Sequence, residues 1–153
     1  MLADRQKEFA AYLIAGFPEL GLQGWSKRGA AAVVGNASQE SLVNPVTGAK
    51  DHGSDGALQW RNARPGRPGR LDDMQHWCTQ HFGDWKSIKA QAAFTMHETA
   101  RDHHNLDHAL RIGIESTSVL TRRFCDVFEV PNPAYANYSN RIRQANLTLK
   151  MIA

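Results

Sequence analysis

The stretch "GAAAVVGNASQESLVNP", Gly29 to Pro45, decides the fold. At about 100° per residue on an α-helix, Ala30, Val33, Val34 and Ala37 fall within one arc, and Glu40 lands about 20° from Val33. Asn36, Ser38 and Gln39 take the other side, which makes Glu40 the single charge on the apolar arc. Pro45 disfavours helical geometry at Asn44, so the helix is expected to end just after Glu40 and leave its carboxylate at a mouth. Desolvation pushes a half-buried carboxyl toward its neutral form, the state that a general acid needs near neutral pH. The same residues also allow a glutamate frayed into solvent at a helix end.

Outward from this stretch, apolar residues recur at helical spacing almost throughout. Helices are predicted at about 3–15, 27–43, 71–82, 87–103 and 106–113. Another carries Leu120, Phe124 and Val127 and stops at Pro131 and Pro133. A last helix carries Tyr135, Tyr138, Ile142, Ala145, Leu149 and Ile152 as one stripe. The exception lies between about residues 44 and 70. There "NPVTGAKDHGSDGALQW" joins turn formers to a short apolar end and predicts a small β-hairpin or ordered loop at about 46–60. The fold class is therefore mainly α with one small β element.

The length of 153 residues suits one average domain, and 42% apolar with 22% charged residues excludes both a disordered chain and a disulfide scaffold. No apolar run is long enough to insert into a membrane. The start, "MLADRQKEFAAYLIAGF", carries Asp4, Arg5, Lys7 and Glu8 and does not read as a secretory signal. Cys78 and Cys125 lie inside apolar helical patterns, which reads first as two buried thiols and second as a disulfide.

The net charge of +3 favours polyanionic surroundings. Arg61, Arg64, Arg67 and Arg70 recur between prolines and glycines as an exposed basic strip, either a holder of anionic partners or a solvated loop. No aromatic residue interleaves with them as a nucleic-acid stacking platform requires, so no nucleic acid is expected as a partner. In "HETARDHHNLDH" the histidines 97, 103, 104 and 108 cluster with Asp102 and Asp107. The zinc motif HExxH fails because Arg101 stands where its second histidine belongs, and Asn105 suggests a helix break between His104 and His108. No metal and no cofactor are expected. Ser41 lacks the context of a serine nucleophile.

Several motifs resemble the phage tail lysozyme family and, more loosely, the lysozyme superfamily that includes goose-type lysozymes and lytic transglycosylases. "GAAAVVGNASQESLVNP" is similar to the family helix that runs into a Glu-Ser pair, here Glu40 and Ser41. "GALQW", Gly56 to Trp60, resembles its G-x-x-Q-W element. "QAAFTMHE", Gln91 to Glu98, and "FEVPNPAYANYSNRIRQA", Phe128 to Ala145, are similar to its later segments, the last ending in a helix that begins near an arginine. Two features depart from the family: "EVP" at Glu129 lacks an arginine before its proline, and "RPGRPGR" is an insertion.

The resemblance implies a two-lobed, lysozyme-like helical domain over residues 1–153, with the Glu40 helix end facing Gly56 to Trp60 across a glycan cleft. It implies cleavage of the β-1,4 bond between N-acetylmuramic acid and N-acetylglucosamine in bacterial peptidoglycan, with Glu40 as proton donor and Ser41, Gly56, Gln59 and Trp60 along the sugar. Gln59 equally suits a loop brace. Asp55 or Asp51 would supply a second carboxylate, although an Asp-Gly pair also serves turn chemistry. With no second carboxylate, the route is lytic transglycosylation. A non-catalytic glycan-binding or structural virion component is the rival from another class. Phage virion or tail proteins are the further partners implied, with the protein in the tail or in the host cytoplasm until its release to the wall.

Overall fold

A computed structural model describes residues 1–48, 53–62 and 69–153. Helix α1, Leu2–Ala15, leads through a turn closed by a Phe17–Leu22 bridge into α2, Lys27–Ser41. Ser26 caps α2, its hydroxyl oxygen accepting the Gly29 N–H at 3.0 Å and so satisfying one of the free donors at the helix start. Strands β1, Ser54–Asp55, and β2, Trp60–Arg61, pair antiparallel with Ser54 opposite Arg61 and Asp55 opposite Trp60. Then follow α3, Arg70–Phe82; α4, Ile88–Asp102; α5, His104–Ile112; α6, Thr117–Phe124; and α7, Tyr138–Ile152. A π-helical turn, Cys125–Glu129, continues α6. The mainly α class and the small hairpin agree with the sequence.

Helix α2 is the axis of the fold. Residues Gly29 through Ser38 are all buried, and α1, α5, α6 and α7 pack around them. The run of small residues makes this crowding feasible. A Cβ on Gly35 would lie 2.4 Å from the Arg141 carbonyl oxygen and 2.8 Å from the Ala145 Cβ, so α7 rests directly on the α2 backbone there.

Three expectations need correction. Asn36 and Ser38 do not face solvent. Both are buried, with Asn36 Nδ2 donating to the Ala32 carbonyl at 2.9 Å and to the Thr121 carbonyl at 3.1 Å, and Ser38 Oγ accepting from Gln6 Nε2 at 2.9 Å. A helix surrounded on all sides buries its polar face too, provided every polar group finds a partner.

The α7 stripe is also rotated. Tyr135 lies outside α7 and is 76% exposed, whereas the buried line of α7 is Arg141, Ala145 and Thr148. Close contact at Gly35 and the charge pairing described below set that face, and apolar periodicity registers neither. Finally, α5 contains His104, Asn105 and His108 without a break, because Asn105 falls in its first turn.

No helix among the described residues is long and apolar enough to cross a membrane. Cys78 and Cys125 are free and buried, and burial pushes their thiols up to about 12 and about 11.

Candidate active site

Glu40 occupies the last turn of α2. Beyond it Leu42 and Val43 take left-handed backbone angles, φ 57° and 56°, and their N–H groups return to the Ser38 and Ala37 carbonyls at 3.0 and 3.2 Å. This is a Schellman-type stop built without glycine. It leaves the Glu40 side chain 20% accessible, at the end of a buried helix.

Its Oε1 accepts a hydrogen bond from Arg141 Nη2 at 2.7 Å. The guanidinium, 2% exposed, is itself fixed: Nη1 donates to Asn36 Oδ1 at 3.0 Å and Nε to the Ala136 carbonyl at 2.5 Å. Asn36 lies one turn before Glu40 on the same helix, so α2 supplies both the carboxylate and the group that aims its partner. Glu40 is therefore neither frayed into solvent nor surrounded by apolar groups alone.

The hairpin is tied to this helix end. Ser41 Oγ donates to the Ala57 carbonyl at 2.7 Å and accepts from the Asn44 N–H at 3.1 Å. Gln91, buried in α4, accepts from the Ala57 N–H at 2.8 Å and donates to the carbonyls of Pro45 and Trp85 at 2.8 and 2.9 Å. Glu98, about two turns further along the same face of α4, accepts from Trp60 Nε1 at 3.1 Å and from Arg70 Nη2 at 2.7 Å. The segment "QAAFTMHE" thus holds the hairpin from beneath through two polar side chains.

The remaining site candidates fall into distinct places. Asp55 is buried, and its Oδ1 accepts from the N–H groups of Thr47 and Gly56, both at 2.7 Å, and from Thr47 Oγ1 at 3.2 Å. This is turn chemistry. Gln59 donates to Thr47 Oγ1 and to the Gly56 carbonyl, both at 2.9 Å, and so braces the same loop. Trp60 is fully buried and supports the hairpin from within. Gly56, at φ 87°, leaves room for the Trp60 ring, which a Cβ would approach to 2.8 Å. Asp51, Arg64 and Arg67 lie outside the described residues.

Of the basic strip, Arg61 is exposed, but Arg70 departs from the strip. It pairs with buried Glu98 and stacks over the Phe128 ring at 4.6 Å. In the histidine-rich segment Asp102 pairs with Arg101 at 2.8 Å, while Asp107 accepts from Trp25 Nε1 at 2.9 Å and pairs with Arg111 at 3.1 Å. His97 stacks on Trp77 with ring centroids 4.7 Å apart. Among the described residues no three metal-ligating side chains converge.

Two residues of the site carry no signal in sequence spacing. Arg141 lies 101 positions from Glu40. Glu129 ends the π-helical turn. The residue as a whole keeps some exposure, yet its Oε1 is sealed from solvent and has no hydrogen-bond partner among the described residues. Desolvation pushes this carboxyl well above its ordinary range, and the nearby charge of Glu40 pushes it further.

Backbone strain marks the same places. Among the described residues the non-glycine positions with positive φ are Leu42 and Val43 after Glu40, Gln59 in the hairpin, Val130 after Glu129, and Asn137 before the turn bearing Arg141. Left-handed angles cost of order 1–3 kcal/mol each and gather at functional sites.

A buried axial helix that ends in a glutamate beside a small antiparallel hairpin, within a mainly α chain, is a lysozyme-like arrangement. The chain belongs to the phage tail lysozyme family: residues 15–152 match the family model of that description. No curated protein matches it.

Proposed function

We propose that residues 1–153 act as one catalytic domain that cuts the β-1,4 bond between N-acetylmuramic acid and N-acetylglucosamine in peptidoglycan, with Glu40 as proton donor. The observation that carries this reading is the placement of Glu40: partly accessible, at the end of a buried helix, held at 2.7 Å by a fixed guanidinium and tethered through Ser41 to the hairpin. A glycosidic oxygen entering from solvent can reach this carboxyl, whereas Asp55 and Glu98 are buried. Family membership supports peptidoglycan as the substrate and a phage virion as the setting, where other tail proteins would be its partners.

One observation favours a second route. Three donors engage Asp55 Oδ1 within its loop, which ill suits a nucleophile or a base. Glu40 could then serve alone, first protonating the leaving oxygen and afterwards, as carboxylate, taking the proton of a hydroxyl on the same sugar as the ring closes to an anhydro product.

Clearing of purified peptidoglycan by wild type beside Glu40→Gln tests the acid. The variant is expected to keep its helical circular dichroism and lose clearing, and undiminished clearing overturns the assignment. Mass spectrometry of the fragments separates the routes, since reducing ends mark hydrolysis and anhydro ends mark transglycosylation. Sacculus binding without soluble fragments from wild type would identify a non-catalytic glycan-binding component instead.

A further inference from the structure

We propose that Glu129 is a positioning residue that lets Glu40 hold its proton, the two glutamates sharing one proton and the single guanidinium of Arg141. The inference rests on Glu40 being the proton donor. A guanidinium favours the ionised form of the carboxyl that it pairs with, whereas a donor must be protonated when the substrate arrives. Some other anion has to take over Arg141 at that moment.

Glu129 fits this role by elimination. Among the described residues, the charged and titratable groups near enough to act on it include Glu40 from α2, Arg70 from α3, Glu98 from α4, Arg141 from α7 and, within its own turn, Cys125. Glu98 is engaged by the Trp60 indole and by two nitrogens of Arg70. Arg70 is committed to Glu98 and to the Phe128 carbonyl, which its Nη1 reaches at 3.2 Å. The Cys125 thiol stays neutral, pushed up by burial to about 11. Among these groups, Glu40 is left to exchange a proton with Glu129 and Arg141 to pair with it.

The backbone holds Glu129 in this setting at a cost. It closes a π-helical turn, a feature that recurs at functional sites, and the β-branched Val130 behind it takes φ 45°. Its Oε1 stays sealed and, among the described residues, without a partner while Arg141 bonds Glu40. When Glu129 loses its proton and becomes the counter-ion of Arg141, Glu40 gains one, and the total on the pair is unchanged. Two carboxyls coupled in this manner titrate as a unit.

The test compares the pH dependence of peptidoglycan clearing in wild type and Glu129→Gln. The amide keeps the shape of the neutral acid but can take no charge. In wild type, loss of the last proton leaves two neighbouring carboxylates, so the alkaline limb lies high. Without the second carboxylate that limb is expected about one pH unit lower.

A purely structural Glu129 would lower the rate at all pH values and leave the limb in place, and that result in a folded variant overturns the proposal. Carboxyl carbon-13 NMR gives a readout that needs no activity. In Glu40→Gln the Glu129 titration should move toward the ordinary carboxyl range by about one unit or more, and an unmoved midpoint overturns the coupling. Clearing that survives Glu40→Gln would instead remove the proton-donor reading, whatever the NMR midpoint does.

Discussion

Replacement of Gly35 by alanine is the sharpest test of how the site is assembled. The new Cβ would stand 2.4 Å from the Arg141 carbonyl oxygen, 2.8 Å from the Ala145 Cβ and 2.8 Å from the Ala145 nitrogen. An ordinary C···O contact is about 3.4 Å. The α7 backbone must therefore retreat by roughly 1 Å, and no flexible side chain is there to give way instead. Overpacking of this kind costs about 1–3 kcal/mol, here near the upper end because the obstacles are backbone atoms and a Cβ. Alanine recovers about 1 kcal/mol of helix propensity over glycine.

The net loss is about 2 kcal/mol, or roughly 4–8 °C in Tm for a chain of this length. Since α7 carries Arg141, its retreat also draws the guanidinium from Glu40, and a misplacement of about 1 Å costs on the order of 100-fold in rate. Thermal melting by circular dichroism and the clearing assay read the two effects. A variant as stable as wild type or more so, with propensity dominating, would refute the close seating of α7 on α2.

Other perturbations follow from the same contacts. Arg141→Met fills the volume but strips donors from Glu40, buried Asn36 and the Ala136 carbonyl. It should lower unfolding free energy by about 3 kcal/mol in a denaturant titration, somewhat eased by water reaching Glu40, and a loss below about 1 kcal/mol would contradict a structural role for the pair. Glu129→Gln should change how stability depends on pH. The native carboxyl keeps its proton well above the ordinary value of 4.5, so from there up to its raised native value the folded state holds a proton that the unfolded chain has lost. Wild-type stability accordingly falls as pH rises through that window, and the variant should lose this component of the slope. Equal slopes in denaturant titrations across pH 5–9 would contradict it.

Much of this arrangement is legible in the sequence because it is local. The helices of α1 to α4, the hairpin after Pro45 and the placement of Glu40 at a helix end each follow from spacing, capping and turn residues within one segment. What escapes is what depends on distant partners. Asn36 and Ser38 look like an exposed polar face until α6 and α1 bring the groups that satisfy them. Arg141 borders an apolar stripe, and hydrophobic periodicity gives a charged side chain no place on the buried face of α7, although it is buried there beside Ala145 and Thr148. Asp55 looks like an acid of the cleft, but the Thr47 and Gly56 donors that bind it come from loop geometry. Glu129 stands out in the sequence only as part of a family-like "FEVP", which says nothing of a carboxyl oxygen sealed from solvent.

The pairing of Glu40 with Arg141 also has a consequence in time. The two residues are separated by 101 positions, and chains grow at roughly 5–20 residues per second. Between emergence of the acid and of its cation, about 5–20 s pass on the ribosome. During that interval α1, α2 and the hairpin can begin to assemble, but α2 has no α7 to rest against and Glu40 has no guanidinium. Glu40 thus acquires its electrostatic setting only after α7 has been made and closes over Gly35.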